Sequence, residues 1–263
     1  MNLTRRLFLK KSIAASVVSA LIPIPSAVLA LGDSKSISWV HVSSEVNEET
    51  LRSLMDSSYA SKSSPIFVST GKCSSAKNMI GNVSSKPVTQ LINFDPSLLQ
   101  LSKEDLQKRI ADTPYPLINS NFEKSSRGAL AALKEKVIIK VNGEKIGVLG
   151  IAFTGSNQSI SQILKVIQSK SQDLKNEGCD KVICLLENPK DVFPYLDYRD
   201  FVENSQDVDW FFTDSDTSDK SKCFSFRNKD NQEVFLQVHS ENSRNFGVTT
   251  INQHKGVFNH YII

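Results

Sequence analysis

Val137-Ile-Ile-Lys-Val141, then Asn142-Gly143, then Lys145-Ile-Gly-Val-Leu-Gly-Ile-Ala-Phe153 is the stretch that decides the fold class. Asn-Gly between two β-rich runs is the strongest short hairpin signature, because both turn residues accept the positive φ that a tight turn needs. Apolar residues then recur at helical spacing, at Ile160, Ile163, Leu164, Ile167 and Leu174, and Gly178 sits where a C-terminal cap belongs. Val182-Ile-Cys-Leu-Leu186 follows as a wholly apolar run, the mark of a strand covered on both faces. Strand, helix and strand in this order predict an α/β domain with packed sheets and outer helices.

Reading upstream, Ile37-Ser-Trp-Val-His41 is a short first strand and residues 48–55 read as a helix. Ser64-Pro65 introduces Ile66-Phe67-Val68, a second strand ending at Thr70-Gly71. Residues 73–90 are polar and poorly patterned and read as loop. Ser102 starts a helix with Asp105 at its third position, a variant of the capping box, and Pro114 and Pro116 close it before Leu117-Ile118. Downstream, a helix over 198–204 leads to a buried strand over 208–212. Thr213-Asp-Ser-Asp-Thr217 then reads as a polar turn, 228–232 as a hairpin turn, and 233–239, 246–251 and 256–263 as strands.

The chain opens Met1-Asn-Leu-Thr-Arg5-Arg6-Leu-Phe8-Leu9-Lys10-Lys11, and an apolar stretch follows over about 13–31, interrupted by Pro23 and Pro25. Val28 and Ala30 supply the small residues of a cleavage site. Phe8, Leu9 and Lys10 fall in register with Arg5 and Arg6, so residues 1–30 read as a twin-arginine secretion signal that sends a folded chain to the periplasm or cell envelope through the twin-arginine translocase. The competing readings are an ordinary secretory signal or a retained anchor. Residues 31–263 then form one domain, long enough for a full core.

Of the 31 basic residues four lie in this leader, which has no acid, leaving 27 basic against 28 acidic residues and a formal net charge of −1. No basic footprint for nucleic acid survives. Cys73, Cys179, Cys184 and Cys223 make no C-x-x-C pair, so neither a zinc ribbon nor a thioredoxin motif is present, and spacing alone assigns no disulfide.

Tyr115-Pro-Leu-Ile-Asn-Ser-Asn-Phe122, followed by Val141-Asn-Gly-Glu-Lys-Ile-Gly-Val-Leu-Gly-Ile151, carries a family resemblance. So do Cys179-Asp-Lys-Val-Ile-Cys-Leu185, Val208-Asp209 within 204–217, Leu236-Gln-Val-His-Ser240, and Asn245-Phe-Gly-Val-Thr-Thr-Ile251. Over residues 37–251 the chain resembles the calcineurin-like metallophosphoesterases, and within them relatives of the N-terminal domain of bacterial 5′-nucleotidases. The resemblance implies a four-layer α/β/β/α sandwich of the metallophosphatase type. It also implies two metal ions held by Asp, His and Asn at strand ends, which activate a hydroxide and clamp a phosphate.

The family's metal motifs are not carried over. Asp-x-His falls on Ser44-Glu45-Val46, and the bridging Asp falls on Lys72. The Asn-His motif has only Asn93-Phe94-Asp95, the Ser-His position reads Leu186-Glu187, and Gly-His-x-His reads Ser215-Asp216-Thr217. Lys72 would bring a positive charge to the place where two cations are bridged. The four histidines, His41, His239, His254 and His260, show no metal-binding spacing. No cofactor is therefore expected, the alternative being a divalent metal ion. Glu187, Asp214 and Asp216 are the residues a hard-cation site would use, and Lys72 is the weak candidate for binding a phosphate. His41 and His239 read as hydrogen-bonded strand histidines. The expected function is binding, to a protein partner or a phosphorylated ligand, by a fold that has lost phosphohydrolase activity. The alternative is a diverged metal-dependent phosphohydrolase built on those carboxylates.

Overall fold

Asn142 and Gly143 take φ values of 53° and 88°, as the hairpin reading requires. Around that turn, the computed structural model describes residues 36–42, 65–71, 89–113, 115–122, 128, 130–153, 159–189, 197–215, 221–240, 247–252 and 257–262, all within the unit Ser34–Ile263. The expected secretion signal (Arg5, Arg6 and Ala30 included), the helix at 48–55, Lys72 and Asp216 lie outside the described residues.

Two six-stranded sheets form the body. The first holds β1 (Ser36–His41), β2 (Ile66–Ser69), β3 (Thr89–Asn93), β4 (Leu117–Ile118), β11 (Gly247–Asn252) and β12 (Val257–Ile262), in the order β12-β11-β1-β2-β3-β4. The second holds β5 (Lys136–Val141), β6 (Glu144–Ile151), β7 (Lys181–Leu186), β8 (Trp210–Ser215), β9 (Lys222–Arg227) and β10 (Glu233–Ser240), in the order β5-β6-β7-β8-β10-β9. Strands β1 to β4 run parallel, as do β6, β7, β8 and β10, and the flanking pairs are antiparallel.

Period-two alternation assigns the faces. Trp39, Val68, Leu91, Val148, Ile183, Leu185 and Phe212 meet in a core between the sheets. Their chain neighbours Leu149, Cys184, Leu186 and Phe211 face the other way, onto α2 (Ile160–Asn176) and α3 (Tyr198–Glu203). Ile92 and Phe94 likewise turn outward to Leu106 and Ile110 of α1 (Lys103–Ala111). Helices thus cover both outer faces, giving the four layers α/β/β/α. Each fully buried large side chain contributes about 1.5–3 kcal/mol.

The helix ends follow their caps. Ser102 accepts from the Asp105 N–H at 3.1 Å, Ser159 and Gln162 form a complete capping box, and Cys179 N donates to Leu174 O beyond Gly178 to close α2.

Two expectations are corrected. Strand β3 begins at Thr89, inside the stretch read as loop, because parallel pairing with β2 supplies the ladder that its short apolar run does not announce. Strand β8 spans Trp210–Ser215, so Thr213, Asp214 and Ser215 are buried strand residues and not a turn; Val238, His239 and Ser240 of β10 pair beside them.

Gly150 lies where β6 passes close to the first sheet: a Cβ there would meet Asn93 Oδ1 at 2.5 Å and Ile118 O at 2.7 Å, one of them backbone. Gly128 has nothing within 4 Å. In urea unfolding, Gly150→Ala is expected to cost about 1–3 kcal/mol and Gly128→Ala less than about 0.5 kcal/mol. Equal effects would refute the close approach.

Candidate functional site

Parallel strands of both sheets release their carboxyl ends at one edge of the sandwich, the position where open α/β sheets place their sites. Polar residues collect there and are nearly all buried: His41 ends β1, Thr70 follows β2, Asn93 ends β3, Glu187 follows β7, Asp214 lies in β8, and His239 and Ser240 end β10.

Asp214 is the centre. Its Oδ2 accepts the Thr70 hydroxyl, and its Oδ1 lies 3.2 Å from His41 Nε2. The His41 contact is close, though its alignment is poor for a directed hydrogen bond. His41 and Thr70 come from the first sheet and Asp214 from the second. The His41 ring stands edge-on to Phe212, with centroids 5.5 Å apart, and lies 5.0 Å from the His239 ring. The Nδ1 of His239 is in turn against the Ser221 hydroxyl. Burial pushes the Asp214 carboxyl up, but the His41 contact and charge, the His239 charge and the Thr70 hydroxyl outweigh it and hold the carboxyl below its ordinary value of 3.8.

Neutral bonds flank this centre. Asn93 Nδ2 donates to Thr70 O at 3.1 Å and Ile151 O at 2.7 Å, which ties β2, β3 and β6 together. Asn121 exchanges bonds with the Ala152 backbone. On the other side Gln237 Nε2 donates to Gly247 O at 3.0 Å, and Thr249 Oγ1 donates to Gln237 Oε1 at 2.7 Å.

Forty-four chains of solved structures match the fold significantly. A 5′-nucleotidase precursor from Thermus thermophilus superposes with a TM-score of 0.66 at 12% identity, covering 87% of this chain and 54% of that one. An NAD nucleotidase from Haemophilus influenzae gives 0.63 at 15%, covering 86% and 49%. The fold is of the metallophosphatase type. The chain spans about half the length of these two structures. No family model matches it, and no curated protein matches it.

Among the described residues, the carboxylates at these strand ends are bonded to protein groups. Glu187 and Asp214 sit at the ends of the neighbouring strands β7 and β8, as expected, but turn to different partners. Asp214 serves Thr70 and His41, whereas Glu187 Oε2 accepts the Phe153 N–H. Among the described residues no three His, Cys, Asp or Glu side chains gather around a point that could hold an ion. The pairing of His41 with His239 and Asp214 has no signal in the sequence, because it depends on the register of β10 on β8 and on the facing of the two sheets.

The carboxyl is depressed, so the stability it contributes is complete above 3.8 and is lost as pH falls through its lower value in the fold. Unfolding free energy measured by urea titration is therefore expected to fall more steeply below about pH 4 in the unaltered protein than in Asp214→Asn. Parallel pH profiles would contradict the pairing.

Proposed function

We propose that this protein is an exported member of the metallophosphatase fold class that no longer hydrolyses phosphoesters and acts by binding at the strand-end edge of the sandwich. The observation that carries the reading is the commitment of the strand-end carboxylates to protein partners: Asp214 to Thr70 and His41, Glu187 to the Phe153 backbone. A two-metal hydrolase needs such oxygens free for its cations, one of them bridging. The substitutions of Val46, Lys72 and Thr217 for family ligands support it from the sequence side. Export rests on the Arg5-Arg6 motif and the Ala30 cleavage site; no helix among the described residues is long and apolar enough to cross a membrane. The ligand class proposed for this edge is a phosphorylated small molecule or a protein segment.

The chain purified without chelator, after growth with manganese, iron and zinc, is expected to hold fewer than about 0.1 equivalents of any metal. It should release no p-nitrophenol from bis(p-nitrophenyl) phosphate above the buffer rate. One or two tightly held equivalents, with turnover lost in Glu187→Gln or Asp216→Asn, would overturn the reading. Export is tested by Arg5→Lys with Arg6→Lys, which should leave the precursor in the cytoplasm; unchanged processing would refute the twin-arginine route.

A further inference from the structure

We infer that Asp214 is a built-in cross-link that fastens the two sheets at their strand ends and does with side chains alone what a bridging cation would do there. Three observations carry this. The carboxylate belongs to the second sheet while both its partners belong to the first, so neither contact survives a separation of the sheets. The group is 6% exposed, with Thr70 at 1% and His41 at 0%, and the aromatic rings of Phe212 and Trp39 lie beneath, 5.9 Å apart. In such surroundings water screens little and a carboxylate depends on the polar groups the protein turns toward it. The bonds on either side, from Asn93 and from Gln237 and Thr249, are neutral; among these cross-sheet contacts Asp214 supplies the carboxylate.

This cross-link holds whether or not the strand-end edge takes a ligand, so its test differs from the test of the proposed function. Thermal unfolding of the full chain is followed after chelator treatment and then with added Mn²⁺ or Zn²⁺. The melting temperature is expected to stay unchanged. A saturable rise that Asp214→Asn abolishes would overturn the inference, because it would make Asp214 a ligand. A urea cycle of Thr70→Val and Asp214→Asn is expected to be non-additive, with a coupling of about tenfold in the unfolding constant; additive effects would overturn it. Should Asp214→Asn not accumulate as folded protein, Thr70 reads the lock by itself. Thr70→Val is expected to lower the melting temperature and Thr70→Ser, which keeps the hydroxyl, to restore most of it. Equal losses in the two variants would contradict the cross-link.

Discussion

A carboxylate enclosed between two sheets has to be matched by its surroundings, and around Asp214 the match comes chiefly from the opposite sheet. A buried carboxylate left without polar partners is strongly disfavoured, because nothing replaces the water it has lost. The Thr70 hydroxyl and the His41 ring meet that need here. The consequence reaches beyond one residue. Strand β8 must run as far as Ser215, β1 must end at His41, and the sheets must face each other so that these ends coincide.

The apolar interior sets the same geometry from below. Trp39, Phe212 and Trp210 form an aromatic series across the sheets, and Trp210 stacks on Phe235 with centroids 4.8 Å apart. Gly150 lets Asn93 and the Ile118 carbonyl approach β6, and Ser120 bonds the Gly150 backbone in both directions. Packing thus brings the strand ends together, and polar bonds then fix them. What results is a seam bonded from sheet to sheet through Asp214, Asn93 and Gln237, in a fold type whose solved neighbours include a 5′-nucleotidase precursor and an NAD nucleotidase.

Much of this is legible in the residues. The Asn142-Gly143 turn, the apolar periodicity of α2 with its cap at Gly178, and the run 182–186 each state a local preference that the packing keeps. What is not legible depends on partners distant in the chain. Thr89 and Gln90 become strand because β2 pairs with them, and Thr213-Asp-Ser215 becomes strand because β10 does. The polar composition of that segment favours a turn when it is read alone. Its position at a strand end marks Asp214 out, but as a ligand beside Glu187. Its actual partners are separated from it by 144 and 173 residues, at Thr70 and His41, and no local pattern announces them.

The most direct test of the account is anomalous X-ray scattering from crystals of the protein grown with Mn²⁺, recorded at the manganese edge. The account predicts no anomalous peak within coordinating distance of Asp214, Glu187 or His41, with the Asp214 oxygens still facing Thr70 and His41. A peak bound by Asp214, with the Thr70 hydroxyl displaced, would contradict it and return the strand ends to metal chemistry.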